Sequence, residues 1–199
     1  MRKCGSILVE NAIIEQNSTG LDDQDGHGGG VQFIDLWSEG TKVIRNSSII
    51  NNIAHSGAGI DIRNYEGSEP NPEIRVEMLN CLVAGNSDKS GMYDGFRGAG
   101  IAVTWYSADI VNCTIADNVL FYIGAWYPVG GGLAFYGSGS VQAPSTVLNS
   151  IIRANKAKCG NQIGVGPGYP SYIVVSHSSL DFSRSAARSA FGSRFRLVL

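Results

Sequence analysis

The sequence predicts an all-β fold, a right-handed parallel β-helix of about five rungs with an irregular C-terminal tail. Three observations predict it. Two short motifs alternate in fixed order over most of the chain, their spacing is close to one solenoid turn, and the segments between them have strand composition.

The first motif is asparagine, a small residue, any residue, an aliphatic, two further residues and a second asparagine. Its five copies are Asn11-Ala12-Ile13-Ile14-Glu15-Gln16-Asn17, Asn46-Ser47-Ser48-Ile49-Ile50-Asn51-Asn52, Asn80-Cys81-Leu82-Val83-Ala84-Gly85-Asn86, Asn112-Cys113-Thr114-Ile115-Ala116-Asp117-Asn118 and Asn149-Ser150-Ile151-Ile152-Arg153-Ala154-Asn155. The leading asparagine steps by 35, 34, 32 and 37 residues, and loops of uneven length absorb the variation. A degenerate sixth copy over 175–180 sets His177 in the asparagine place. The second motif lies between copies of the first: two small residues, often Gly-x-Gly, then aliphatic, any, apolar. It reads Gly28-Gly29-Gly30-Val31-Gln32-Phe33, Gly57-Ala58-Gly59-Ile60-Asp61-Ile62, Gly98-Ala99-Gly100-Ile101-Ala102-Val103 and Gly130-Gly131-Gly132-Leu133-Ala134-Phe135, and more loosely Gly160-Asn161-Gln162-Ile163-Gly164-Val165.

A step near 34 residues also suits helical repeats, but those need long amphipathic helices rich in Ala and Leu. Here the apolar segments are short, β-branched and alternating, and Gly or Asn cuts them every few positions. Leucine-rich repeats would want a leucine ladder. Stacked rungs explain the residue types directly. Parallel strands about 4.8 Å apart set equivalent residues one above another, so Ala12, Ser47, Cys81, Cys113 and Ser150 form one small inward column. Ile14, Ile49, Val83, Ile115 and Ile152 form an aliphatic one beside it. Asparagine suits the sharp corners because it tolerates left-handed backbone, and its amide can hydrogen-bond along a stack.

On these residues the N-C-T-I-x-x-N and G-G-G-aliphatic patterns resemble bacterial right-handed parallel β-helix repeat proteins of the pectin lyase-like superfamily. The resemblance covers roughly residues 6–183 and implies the fold. For function it implies only a range, since lyases, hydrolases, epimerases and adhesins share the scaffold. Residues 1–183 are therefore expected to be one β-helical domain, a piece of a longer secreted or cell-surface solenoid. Residues 184–199 form a basic tail, a cap or a disordered end, with Arg184, Arg188, Arg194 and Arg196 and no acid.

Composition narrows the function classes. A net charge of −2 gives no general attraction to nucleic acid or anionic membrane. No apolar run approaches the 18 or so residues that a spanning helix needs. Cys4, Cys81, Cys113 and Cys159 form no CxxC and have no histidine at ligand spacing, so they read as buried free thiols rather than a zinc site.

Two candidate sites emerge. Trp37, Tyr65, Trp105, Tyr106, Tyr136 and Tyr169 follow the Gly motif at similar offsets in each rung, so stacking draws them toward one corner. A row of aromatic faces about 5 Å apart suits the rings of a polysaccharide or surface glycan. Asp22, Asp23 and Asp25 crowd one loop beside Gly26 and are candidate calcium ligands, without EF-hand spacing. His27 and His55 precede the Gly motif in adjacent rungs and are candidate neighbours near Asp25. The outward residues of the Gly-motif strand are expected to be Gln32, Asp61, Ala102, Ala134 and Gly164. One carboxylate among them does not make the facing pair that a glycosidase needs. The expected function is non-catalytic binding of glycan or another surface partner. A calcium-assisted, polysaccharide-degrading lyase and a structural spacer are the alternatives.

Overall fold

In a computed structural model, residues 5–19, 26–34, 40–64, 71–88, 98–121, 129–157, 159–166, 170–181, 187–189 and 194–198 are described. They form an all-β parallel solenoid, and no helix occurs among them, so none is long and apolar enough to cross a membrane. Three sheets make its faces. The first stacks Ile7–Glu10, Lys42–Arg45, Arg75–Leu79, Ser107–Val111, Ser145–Leu148, Tyr172–Ser176 and Arg194–Val198. The second stacks Ile13–Glu15, Ser48–Ile50, Leu82–Ala84, Thr114–Ala116, Ile151–Arg153 and Ser179–Leu180. The third stacks Val31–Ile34, Ile60–Arg63, Ile101–Thr104, Leu133–Tyr136, Ile163–Val165 and Ala187–Ser189. A small fourth sheet pairs Ile53–Ala54 with Ser87–Asp88. From Ile7 to Ser145 the chain winds about four turns, which lays down the five expected levels. The degenerate copy at His177 supplies a sixth, and the described backbone of the tail adds the strands Ala187–Ser189 and Arg194–Val198 beyond it.

The register stacks Ile14, Ile49, Val83, Ile115 and Ile152 as expected. The four beyond Ile14 are fully buried. Each such side chain contributes roughly 1.5–3 kcal/mol by leaving water. Facing them across the axis are Ile60, Ile62, Ile101, Val103, Leu133 and Phe135 of the third sheet, so the core is one continuous column bounded by three walls.

The asparagines divide into two roles that their shared motif conceals. Asn11, Asn46, Asn80, Asn112 and Asn149 hold the corner between the first and second sheets, with φ between 50° and 54°, and His177 follows at 48°. The closing asparagines do something else. Asn52, Asn86 and Asn118 are wholly buried, and each donates both its backbone N–H and its amide Nδ2–H to the Oδ1 of the next level, at 2.9–3.0 Å. The second Nδ2 hydrogen goes to a core carbonyl of the level before: Ile14, Ile49 and Val83 in turn. Every polar atom of the column is thereby used within the dry interior.

The residue before each ladder asparagine also sits in left-handed backbone: Gln16, Asn51, Gly85, Asp117 and Ala154, with φ of 54–65°. Ala154 is the one with neither the freedom of glycine nor a side chain that can bond locally. Ala154→Asn is expected to stabilise the protein by roughly 0.5–1 kcal/mol. Thermal denaturation of the variant beside wild type would check it, and a lower melting temperature would contradict it.

The Gly motif is tied to the same ladder. A Cβ on Gly30, Gly59, Gly100 or Gly132 would lie 2.8–3.0 Å from the Nδ2 of Asn52, Asn86, Asn118 or Asn155, always one level on. At the fifth level the column holds Gln162 instead, and its Oε1 accepts from Asn155 Nδ2 at 2.7 Å. Glycine is needed where an asparagine presses against it from the next level, and the column changes to a side chain where the ladder stops.

Candidate functional site

Strand alternation gives the third sheet two outward columns, because Ile60 and Ile62 of one strand face the core while Asp61 and Arg63 do not. The first column is Gln32, Asp61, Ala102, Ala134 and Gly164, in the register expected. It is not offered to a substrate. The left-handed glycines Gly28, Gly57, Gly130 and Gly160 fold back over it, and a Cβ on Gly57 would stand 2.7 Å from that of Asp61. Asp61, Ala102, Ala134 and Gly164 are accordingly buried, and Gln32 is the exposed member.

The second column, two residues further along each strand, is Ile34, Arg63, Thr104 and Tyr136. It combines groups of different chemistry. Arg63 reaches back along its own strand to Asp61, Nε to Oδ2 and Nη2 to Oδ1 (3.1 Å), a bidentate pair whose carboxylate is fully buried. Gln32 Nε2 donates to the same carboxylate at 3.4 Å. Arg63 Nη2 also donates to His27 Nδ1. Because a guanidinium has no acceptor, His27 Nδ1 must accept, which assigns the tautomer with its proton on Nε2. The result is a guanidinium fixed at three points and 18% exposed. Thr104 stacks on it, and Tyr136 stacks on Thr104, about 9.6 Å from the Arg63 level.

Trp105 completes the corner. It is half-buried, its backbone N–H donates to the Tyr136 carbonyl at 2.9 Å, and its own backbone carbonyl accepts from the Asn71 backbone N–H at 2.8 Å. Its φ is +62°. The matching residue one level on is Gly137, with φ +56°. These two levels share left-handed backbone at the turn, and a bulky aromatic occupies it at a cost of about 1–2 kcal/mol. Tyr136 lies across Gly166, whose Cβ would fall 2.5 Å from the ring.

Of the expected aromatic row, Trp105 and Tyr136 occur together, on adjacent levels. Tyr106 does not join them. It is 1% exposed, part of the core, and its hydroxyl donates to Asn64 Oδ1 at 3.1 Å. Trp37, Tyr65 and Tyr169 lie outside the described residues, as do Asp22, Asp23 and Asp25. Among the described residues no three metal-ligating side chains cluster. His27 and His55 lie on adjacent levels one residue out of register: His27 pairs with Ser56, and the backbone N–H of the buried His55 donates to the Gly26 carbonyl at 2.7 Å. Cys81, Cys113 and Cys159 are free thiols. Cys81 and Cys113 stack in the small inward column, and the Cys113 thiol is pushed well up by its hydrogen bond with Cys81 and by burial. The same hydrogen bond lowers the Cys81 thiol to about 7, and both thiols are buried.

Arg63 and Thr104 have no motif of their own. The signal was the strand alternation itself, carried one step beyond the residue between the two core aliphatics. Compared with known proteins, the chain matches no family model, no curated protein and no solved structure.

Proposed function

We propose that this chain is a non-catalytic binding module of a secreted or cell-surface β-helix protein, of the kind the pectin lyase-like resemblance implies. Its ligand is a glycan held at the corner formed by Trp105, Tyr136, Thr104 and Arg63. The observation that carries this reading is Trp105. A half-buried tryptophan kept at φ +62°, where the next level uses glycine, is strained backbone, and such strain gathers at binding sites. The neighbours suit a sugar. Two aromatic rings offer faces for its C–H surface, and the fixed guanidinium of Arg63, one level before Trp105, offers polar contacts for its hydroxyls.

The test is a glycan array with wild type and Trp105→Gly. Glycine relieves the backbone, which offsets the packing lost with the ring, so the melting temperature is expected to stay within about 4 °C of wild type. Binding to any glycan that wild type retains is expected to fall about tenfold or more. Equal retention by both proteins, or no glycan retained by wild type, would overturn the reading.

A further inference from the structure

The small inward column between the first and second sheets reads Ala12, Ser47, Cys81, Cys113, Ser150 and Ser178 from level to level. Its hydroxyls share one task. Ser47, Ser150 and Ser178 accept the backbone N–H of the level before, from Ala12, Cys113 and Ser150 in turn, at 3.1 Å. Each also donates to the carbonyl two residues back, that of Arg45, Leu148 or Ser176, at 2.8–2.9 Å. The thiols imitate this with weaker bonds, Cys81 Sγ to the Leu79 carbonyl and Cys113 Sγ to the Val111 carbonyl, both at 3.3 Å. A hydroxyl therefore meets the demands of the column, and packing alone does not call for sulfur. Cysteine nonetheless fills two adjacent levels.

Stacking brings the two sulfurs together. Leu82 and Thr114 are in register, the Thr114 N–H donates to the Cys81 carbonyl at 2.9 Å, and the two thiols hydrogen-bond to each other. One level spacing, about 4.8 Å, falls within the Cα separations of about 4.4–6.8 Å that a disulfide spans. We propose that Cys81 and Cys113 are a disulfide site, closed by a small-molecule disulfide such as oxidised glutathione as the rungs form. One cysteine thiolate attacks the oxidant, which leaves a mixed disulfide and releases one glutathione. The other cysteine thiolate then displaces the second glutathione. Two protein thiols and one glutathione disulfide thus become one protein disulfide and two glutathione thiols, which take up the two protons. Both cysteines are at most 3% exposed in the finished solenoid, so the exchange precedes burial. Disulfide Cβ atoms stand about 3.5–4.5 Å apart, a little closer than one level, so the bond draws the two rungs together. It closes a loop over residues 82–112 that contains the strand Ile101–Thr104 and Trp105. The staple is independent of glycan binding, since both cysteines belong to the core.

The test is refolding of the full chain in a mixture of oxidised and reduced glutathione, followed by denaturation with iodoacetamide to mark free thiols. The Cys4→Ser/Cys159→Ser variant, which keeps the pair alone, is expected to take up no label and to weigh about 2 Da less than its reduced form. Peptide mapping of this variant and of wild type is expected to show Cys81 joined to Cys113. Closing a loop of about 30 residues is expected to raise the melting temperature by about 4 °C or more over the reduced protein. Cys81→Ser and Cys113→Ser, which supply the hydroxyl used at the neighbouring levels, are expected to fold by circular dichroism and to lose both the cross-link and the gain. Recovery of labelled Cys81 and Cys113 from folded wild type overturns the proposal. So does pairing of either with Cys4 or Cys159, or an oxidised protein that melts below the reduced one.

Discussion

Replacing Asn86 by alanine is expected to destabilise the protein by about 3–5 kcal/mol, and replacing it by aspartate by at least as much. Asn86 accepts from both the backbone N–H and the Nδ2 of Asn52, and donates to the Ile49 carbonyl and to Asn118 Oδ1. Alanine leaves two donors and the Ile49 carbonyl short of a partner, and Asn118 Oδ1 with the residue-86 backbone N–H alone, where no water reaches, since Asn52, Asn86 and Asn118 are all fully buried. Each such group costs about 1–3 kcal/mol, and part of the sum is recovered as the rungs relax. Aspartate keeps the shape but replaces the donating Nδ2 with an oxygen facing two other oxygens, in a site where a carboxylate is costly to ionise. Urea denaturation measures both variants. The exposed Asn80, whose amide donates to Asn46 Oδ1 at 3.2 Å at the surface, is the internal control, and Asn80→Gly is expected to cost less than about 1 kcal/mol. Equal losses at Asn80 and Asn86 would contradict the division of labour between the two asparagine columns.

Gly100→Ala is expected to cost about 3 kcal/mol or more, although it adds one methyl group to a surface-distant turn. The new Cβ would lie 2.5 Å from the Gly132 carbonyl oxygen and 3.0 Å from Asn118 Nδ2. That oxygen is the acceptor for the Ile101 N–H at 2.9 Å, so the methyl group displaces a rung-to-rung hydrogen bond and the neighbouring ladder amide together. Neither is the end of a flexible side chain, and overpacking against fixed backbone is destabilising. The same column at its last level offers the contrast. Gln162→Ala meets no asparagine from beyond and loses only the acceptor for Asn155, at about 1–2 kcal/mol. Chemical denaturation of the two variants side by side would test the pairing of glycine with ladder asparagine. A harmless Gly100→Ala would refute it.

The solenoid was legible because stacking repeats its demands: a corner that needs left-handed backbone at Asn46 needs it again at Asn80 and Asn112. What the repeat could not separate was two asparagines in one motif doing different work, since corner tolerance and amide laddering select the same residue. The link between Gly100 and Asn118 was hidden for another reason. It crosses from one level to the next, whereas motifs are read along the chain. At the corner, Trp105 and Tyr106 stand side by side in sequence and were both expected at the surface. Consecutive residues at a strand end point to opposite sides, and Tyr106 turns inward, where Asn64 receives its hydroxyl. Nothing along the chain distinguishes Arg63, because Asp61 two residues before it and His27 a level below become its partners only once the rungs are in register.

The buried amide column has an electrical consequence that the walls around it lack. Backbone hydrogen bonds between levels alternate in direction, as when Asn46 N–H points to Leu79 on the following strand and Ser48 N–H points back to Ala12, so their dipoles largely cancel. The asparagine amides all point the same way, from Asn17 through to Gln162. Each polarises the next, so an added rung strengthens those already present, and stability should rise faster than in proportion to the number of rungs. The axis also acquires a sense. Asn17 ends the row on the oxygen side and Gln162 on the N–H side, so the column has a direction that the sheets around it lack.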